Sequence, residues 1–124
     1  MKLVDEIIAL LQSHPLVRDV RVVNYDITPY GKLELKVRCR LVQNFHLQIW
    51  LHREPRFNDY AFQLFSDHPI LRWDNAPHYP DIATAPHHFH DEFGQVSDSD
   101  FTGEMLQDLR YVLASIEEWL RQNE

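Results

Sequence analysis

Between Arg72 and His90 the chain reads RWDNAPHYPDIATAPHHFH, which sets His78, His87, His88 and His90 among Pro77, Pro80 and Pro86. Imidazole is the side chain that gives and takes protons near neutral pH without special burial. Two such rings and a guanidinium suit cleavage of RNA through its 2′-hydroxyl. One ring deprotonates the nucleophile, a second protonates the leaving oxygen, and the guanidinium holds the charged phosphorane. Arg72, His78, His87, His88 and His90 are the candidates, with Asp74 placed to accept a ring N–H and set that histidine's direction.

The same residues admit two other readings. His88-x-His90 in an extended stretch projects both rings to one side, and His78 with Asp74, Asp91 or Glu92 can complete an N/O sphere for a divalent transition metal such as zinc. The helical HExxH spacing, which supplies two ligands and a base, is absent. In the third reading the segment is a rigid polar loop. Asp74 and Asn75 then close their own turn, and Tyr79 and Phe89 brace the chain. The metal-independent reaction is the working expectation, without a cofactor; a metal site and a non-enzymatic interaction domain stand as alternatives.

Such a loop needs a support. Val4, Ile7, Ile8 and Leu11 follow a helical stripe, predicting a helix over residues 2–13 that stops at His14-Pro15. The period then changes to two. Leu33, Leu35, Val37, Cys39 and Leu41 alternate with Lys32, Glu34, Lys36, Arg38 and Arg40, and Pro29-Tyr30-Gly31 joins this strand to residues 18–27 as a hairpin. Residues 45–52 and 59–65 are two further strands, and Ile70 to Trp73 is a short last one with Trp73 in the core. Met105, Leu106, Leu109, Val112, Leu113, Ile116, Trp119 and Leu120 mark a C-terminal helix, with Thr102 as its expected N-cap and Phe101 and Leu106 at staple spacing. Its apolar stripe is assigned to the protein's own core, with a homodimer face as the alternative.

The expected fold is α+β: an antiparallel meander of four to five strands, with both helices on one face, in a single domain over residues 1–124. The other face is open. It carries Lys36, Arg38, Arg40 and Trp50, cations beside an indole, which can meet a polynucleotide backbone and a base or simply be solvated.

Composition bounds the rest. Apolar residues make up 44% and charged residues 25%, so a substantial core is affordable. Net charge is −7, yet residues 1–72 hold ten Lys/Arg against eight Asp/Glu, whereas residues 73–124 hold two against eleven. Generic nucleic-acid affinity is disfavoured, and a local basic surface is not. Cys39 has no thiol partner and is expected to be buried, and His14 and His68, each before proline, to be turn residues. There is no long apolar run and no phosphate-cradling glycine loop, so a cytoplasmic location without membrane contact is expected.

RWDNAPHYP followed by PHHFH resembles the signature of the TumE-type family of toxins of type II toxin–antitoxin pairs. The match rests on Arg72, Trp73, Asp74, Asn75, Ala76, Pro77, His78, Pro80, Pro86, His87, His88 and His90. Tyr79 stands where the family pattern often has another histidine, and Phe89 where it often has a basic residue. The resemblance implies a toxin role and a small helix-turn-helix DNA-binding antitoxin as partner. RNA as substrate comes from the residues themselves and from the habit of small toxins.

Overall fold

Strict alternation in the middle of the chain builds the centre of a sheet. Leu33, Leu35, Val37, Cys39 and Leu41 are all buried, whereas Lys36, Arg38 and Arg40 between them reach solvent. The computed structural model describes residues 2–123. In order, it has α1 (Lys2–Ser13), β1 (Val17–Ile27), β2 (Leu33–Leu41), a 3-10 turn (Val42–Asn44), β3 (His46–Glu54), β4 (Phe57–Phe65), β5 (Pro69–Asp74), β6 (His88–His90), β7 (Val96–Asp98) and α2 (Met105–Gln122). The strands form one antiparallel sheet in sequential order, β1 to β7. The α+β meander is therefore as expected, with seven strands in place of four to five. The two additional strands have three residues each. So short a run carries too little alternation to be read as a strand; β5's free edge supplies the pairing.

Both helices lie on one face. Val4, Ile7 and Leu11 of α1 and Leu109, Val112, Leu113, Ile116 and Leu120 of α2 pack with Leu47, Ile49, Leu51, Phe62, Leu64 and Trp73 of the sheet in one cluster. Each such side chain contributes about 1.5–3 kcal/mol on leaving water, so the core is ample for a domain of this size. Leu109 and Ile116 of the α2 stripe are fully buried in the protein's own core, whereas Trp119 stays partly exposed.

The cap of α2 differs from expectation. Glu104 is the N-cap, its carboxylate accepting from Leu106 N and Gln107 N, while Thr102 accepts from Glu104 N and donates to Asp108 Oδ1. Asp108 is fully buried and also accepts from Thr102 N, Gly103 N and the Tyr60 hydroxyl. A carboxylate at a helix N-terminus, ringed by donors, ties α2 to β4. Burial and that carboxylate push the Tyr60 hydroxyl well above the usual phenol range. Burial, with Asp19 adding to it, raises Cys39 to about 12, which makes it an inert thiol.

Candidate functional site

Register decides which residues meet on the open face. Lys36, Trp50, Ala61, Asp74 and His88 are paired in succession across β2 to β6, and Arg38, Gln48, Gln63, Arg72 and His90 form the neighbouring row. Side chains alternate along a strand, so Arg72 and Asp74 point away from the helices while Trp73 between them is core. His88 and His90 share the open face for the same reason. They sit on β6, not on a loop, which corrects the expectation of a displayed histidine loop.

Asp74 is the hub. Its Oδ2 accepts from Arg72 Nε at 2.8 Å, and its Oδ1 accepts from Ala76 N at 3.0 Å and lies 2.8 Å from His88 Nε2. His90 Nε2 lies 3.9 Å from Oδ2. The Ala76 contact is an Asx-turn that begins the following loop. Asn75 staples that loop to β4, accepting from Tyr60 N and donating to Asn58 O. Within the Asp-Asn pair of the motif, Asp74 thus closes the turn and Asn75 bonds across to β4.

His88 is buried, with Nδ1 3.0 Å from Pro86 O and Nε2 on Asp74. A carbonyl oxygen only accepts, so Nδ1 donates to it. The ring's Nε2 faces the Asp74 carboxylate. Tyr79 covers both rings, its centroid 4.7 Å from His88 and 5.8 Å from His90. His90 is about a quarter exposed, and burial, with His88 and Arg72 adding to it, lowers its pKa against the opposing pull of Asp74. Arg72's side chain is 40% exposed, and it is Nε that Asp74 engages.

Two candidates stand elsewhere. His78 is exposed, at the turn after Pro77, outside the Asp74 cluster. His87 points to the other side of the β6 entry, against Tyr60 and Phe101, and burial lowers its pKa while Asp108 opposes the shift. Of the residues proposed as ligands, Asp74, His88 and His90 present atoms within 4.8 Å of one another; His78, Asp91 and Glu92 lie outside that group. His14 accepts from Leu16 N in its turn, as its position before proline suggests.

The four surface residues expected to meet substrate are on the open face in two clusters. Lys36 and Trp50 line a hollow of about 140 Å³ with Gln48, Ala61, Gln63 and Arg72. A second hollow of about 150 Å³ continues from Trp50 past Ala61 to Arg72 and Asp74. Ala61 is the small residue that leaves this room between the indole and the carboxylate. Arg38 donates to Gln48 Oε1 at 2.8 Å, and Arg40 lies one alternate position further, opposite His46. The positioning residues Tyr79, Pro86 and Ala76 carry no distinctive chemical signal in sequence, although the alternation of His88 and His90 against His87 does.

A family model described as toxin TumE matches residues 7–120. The chain belongs to the TumE toxin family. The Arg72–Asp74 and His88–His90 segments of this TumE-family chain both fall inside the matched range. No curated protein and no solved structure shows a significant match to it. Membership of a toxin family implies an antitoxin partner. Among the described residues no helix is long and apolar enough to cross a membrane.

Proposed function

We propose that this TumE-family chain is the toxin of a type II pair and cleaves RNA without a metal, in the cytoplasm, under control of a helix-turn-helix antitoxin. The observation that carries this reading is the convergence of Arg72, His88 and His90 on Asp74 beside the Lys36–Trp50 hollow. His90 is the solvent-reachable imidazole, and its lowered pKa keeps it neutral at physiological pH, as a base must be. It takes the proton of the 2′-hydroxyl; that oxygen attacks phosphorus, the bond to the 5′ oxygen breaks, and the leaving oxygen is protonated by solvent or by the imidazolium. Arg72's free nitrogens hold the charged phosphorane. Asp74 and buried His88 are positioning residues that keep Arg72 and His90 in place. Lys36, Arg38 and Arg40 meet phosphates, and Trp50 stacks on a base. His78 and His87 take no part in the chemical step.

The alternative of a metal centre is favoured by one observation. Asp74, His88 and His90 form a two-histidine, one-carboxylate set, and His88 Nδ1 is already held by Pro86 O, as the outer nitrogen of a ligand histidine commonly is. Against it, Arg72 occupies Asp74 Oδ2 and places a fixed positive charge beside the ion. One experiment separates the readings. The purified untagged protein is incubated with RNA with and without a chelator, alongside His90→Gln, which leaves the buried pair alone. Cleavage that survives chelation and falls at least a hundredfold in the variant supports the acid–base reading. Chelator-sensitive cleavage with stoichiometric metal supports the other, and an unchanged His90→Gln defeats both.

A further inference from the structure

A further hollow lies on the other face of the sheet. A cleft of about 520 Å³ lies between α2 and the β5–β7 end of the sheet. Its walls are Trp73, Phe89, Tyr111 and Trp119, above a floor that includes Leu71. Four carboxylates, Asp91, Glu92, Asp98 and Glu118, also line it, and no lysine or arginine does. Glu118 meets Arg121, and Asp91 is held in its turn by Phe93 N and Gln95 N, whereas Glu92 and Asp98 stand exposed at the mouth. Two polar atoms are left over in this lining. Ser99 Oγ belongs to a residue only 4% exposed, and neither it nor buried Trp119 Nε1 has a hydrogen-bond partner.

We propose that this cleft docks a basic, apolar segment of a partner polypeptide, with an arginine or lysine side chain between the aromatic walls and the carboxylates. Each feature selects one part of that occupant. Aromatic faces attract a cation and cover its apolar stem, and desolvation strengthens the attraction. The carboxylates set the sign of charge and exclude an acidic segment. Trp119 Nε1 only donates and Ser99 Oγ both donates and accepts, so a docked segment with backbone carbonyls pairs both, whereas a free amine pairs the hydroxyl alone. The volume is in the usual range for a pocket and holds a few side chains. Phe93, 81% exposed at the tip of the β6–β7 hairpin, extends the apolar surface beside the mouth. The proposal is independent of the RNA reading, because Trp73 and Phe89 face opposite to Arg72, Asp74, His88 and His90.

The test titrates the full chain, followed by tryptophan fluorescence and calorimetry, with a capped peptide of alternating arginine and leucine, its glutamate counterpart, and arginine amide alone. The expected result is binding of the arginine peptide at least about tenfold tighter than of either other probe, a difference of about 1.4 kcal/mol. Two variants at exposed positions should weaken it by a similar factor without lowering thermal stability: Ala114→Arg, which fills the cleft from α2, and Glu92→Lys, which reverses charge at the mouth. Absent binding, equal binding of the two peptides, or insensitivity to both variants overturns the proposal. Equal binding of arginine amide overturns the polypeptide occupant in favour of a small-cation site.

Discussion

Replacing Asp74 by asparagine removes a charge while keeping the side chain's shape, and the bond pattern says what that costs. Oδ1 serves His88 Nε2 and Ala76 N, and Oδ2 serves Arg72 Nε. An asparagine has one acceptor oxygen, so its best orientation places that oxygen at Oδ1 and turns its NH2 toward the Arg72 N–H. Two donors then face each other. Arg72 is 40% exposed and can swing into solvent, which limits its share to the few tenths of a kcal/mol typical of a partly exposed pair. His88 cannot move away, being 2% exposed and held by Pro86 O. Its bond falls from the charge-assisted to the neutral class, a loss of about 1–1.5 kcal/mol. The expected destabilisation is about 1.5 kcal/mol, seen as a fall in Tm of roughly 5–8 °C. Urea unfolding followed by tryptophan fluorescence measures it, the midpoint moving with little change of slope. A loss under about 0.5 kcal/mol would refute the carboxylate's role as hub, since surface substitutions alone reach that size.

Tyr60→Phe removes the hydroxyl that lies 2.5 Å from Asp108 Oδ2, and Asp108 retains three donors, so a loss of about 1–2 kcal/mol is expected in the same unfolding assay. Stability should also depend on pH through His87, whose folded pKa lies below the ordinary 6.5 because of burial and His88, against the pull of Asp108. The unfolded chain then binds the proton more readily. The stabilising contribution is complete above 6.5 and is lost as pH falls from there through the folded value, so the urea midpoint should drop between pH 7 and 5 and drop less in His87→Phe. Cys39, raised to about 12, should resist iodoacetamide at pH 8 in the native protein and react fully in denaturant.

The periodic elements were legible because side-chain burial repeats with the backbone. Twelve residues of helical stripe became α1, and the Leu33–Leu41 alternation became β2, with no change of bounds at its ends. Arg72 was expected on a last strand ending at Trp73, with Asp74 just beyond it; β5 runs on to Asp74, and that added residue puts the two on one face. Thr102 and Glu104 can both accept from a free N–H, so the cap was not decided by residue type; the Thr102 hydroxyl accepts from Glu104 N, one step before the helix, and the Glu104 carboxylate accepts from Leu106 N and Gln107 N.

Sequence by itself determined the alternating and helical faces, the buried thiol and the parity that puts His88 and His90 on one side. Tertiary structure alone decided that Asp74 lies opposite His88, because that register comes from β6 adding to the edge of β5 after a long proline-bearing connection. It also decided that His78 stays outside the cluster and that α2 leaves a cleft over the short strands β6 and β7. Local periodicity reports which way a side chain points. Which other side chain it meets depends on strand pairing between segments distant in the chain, where hydrogen-bond register and core packing act together.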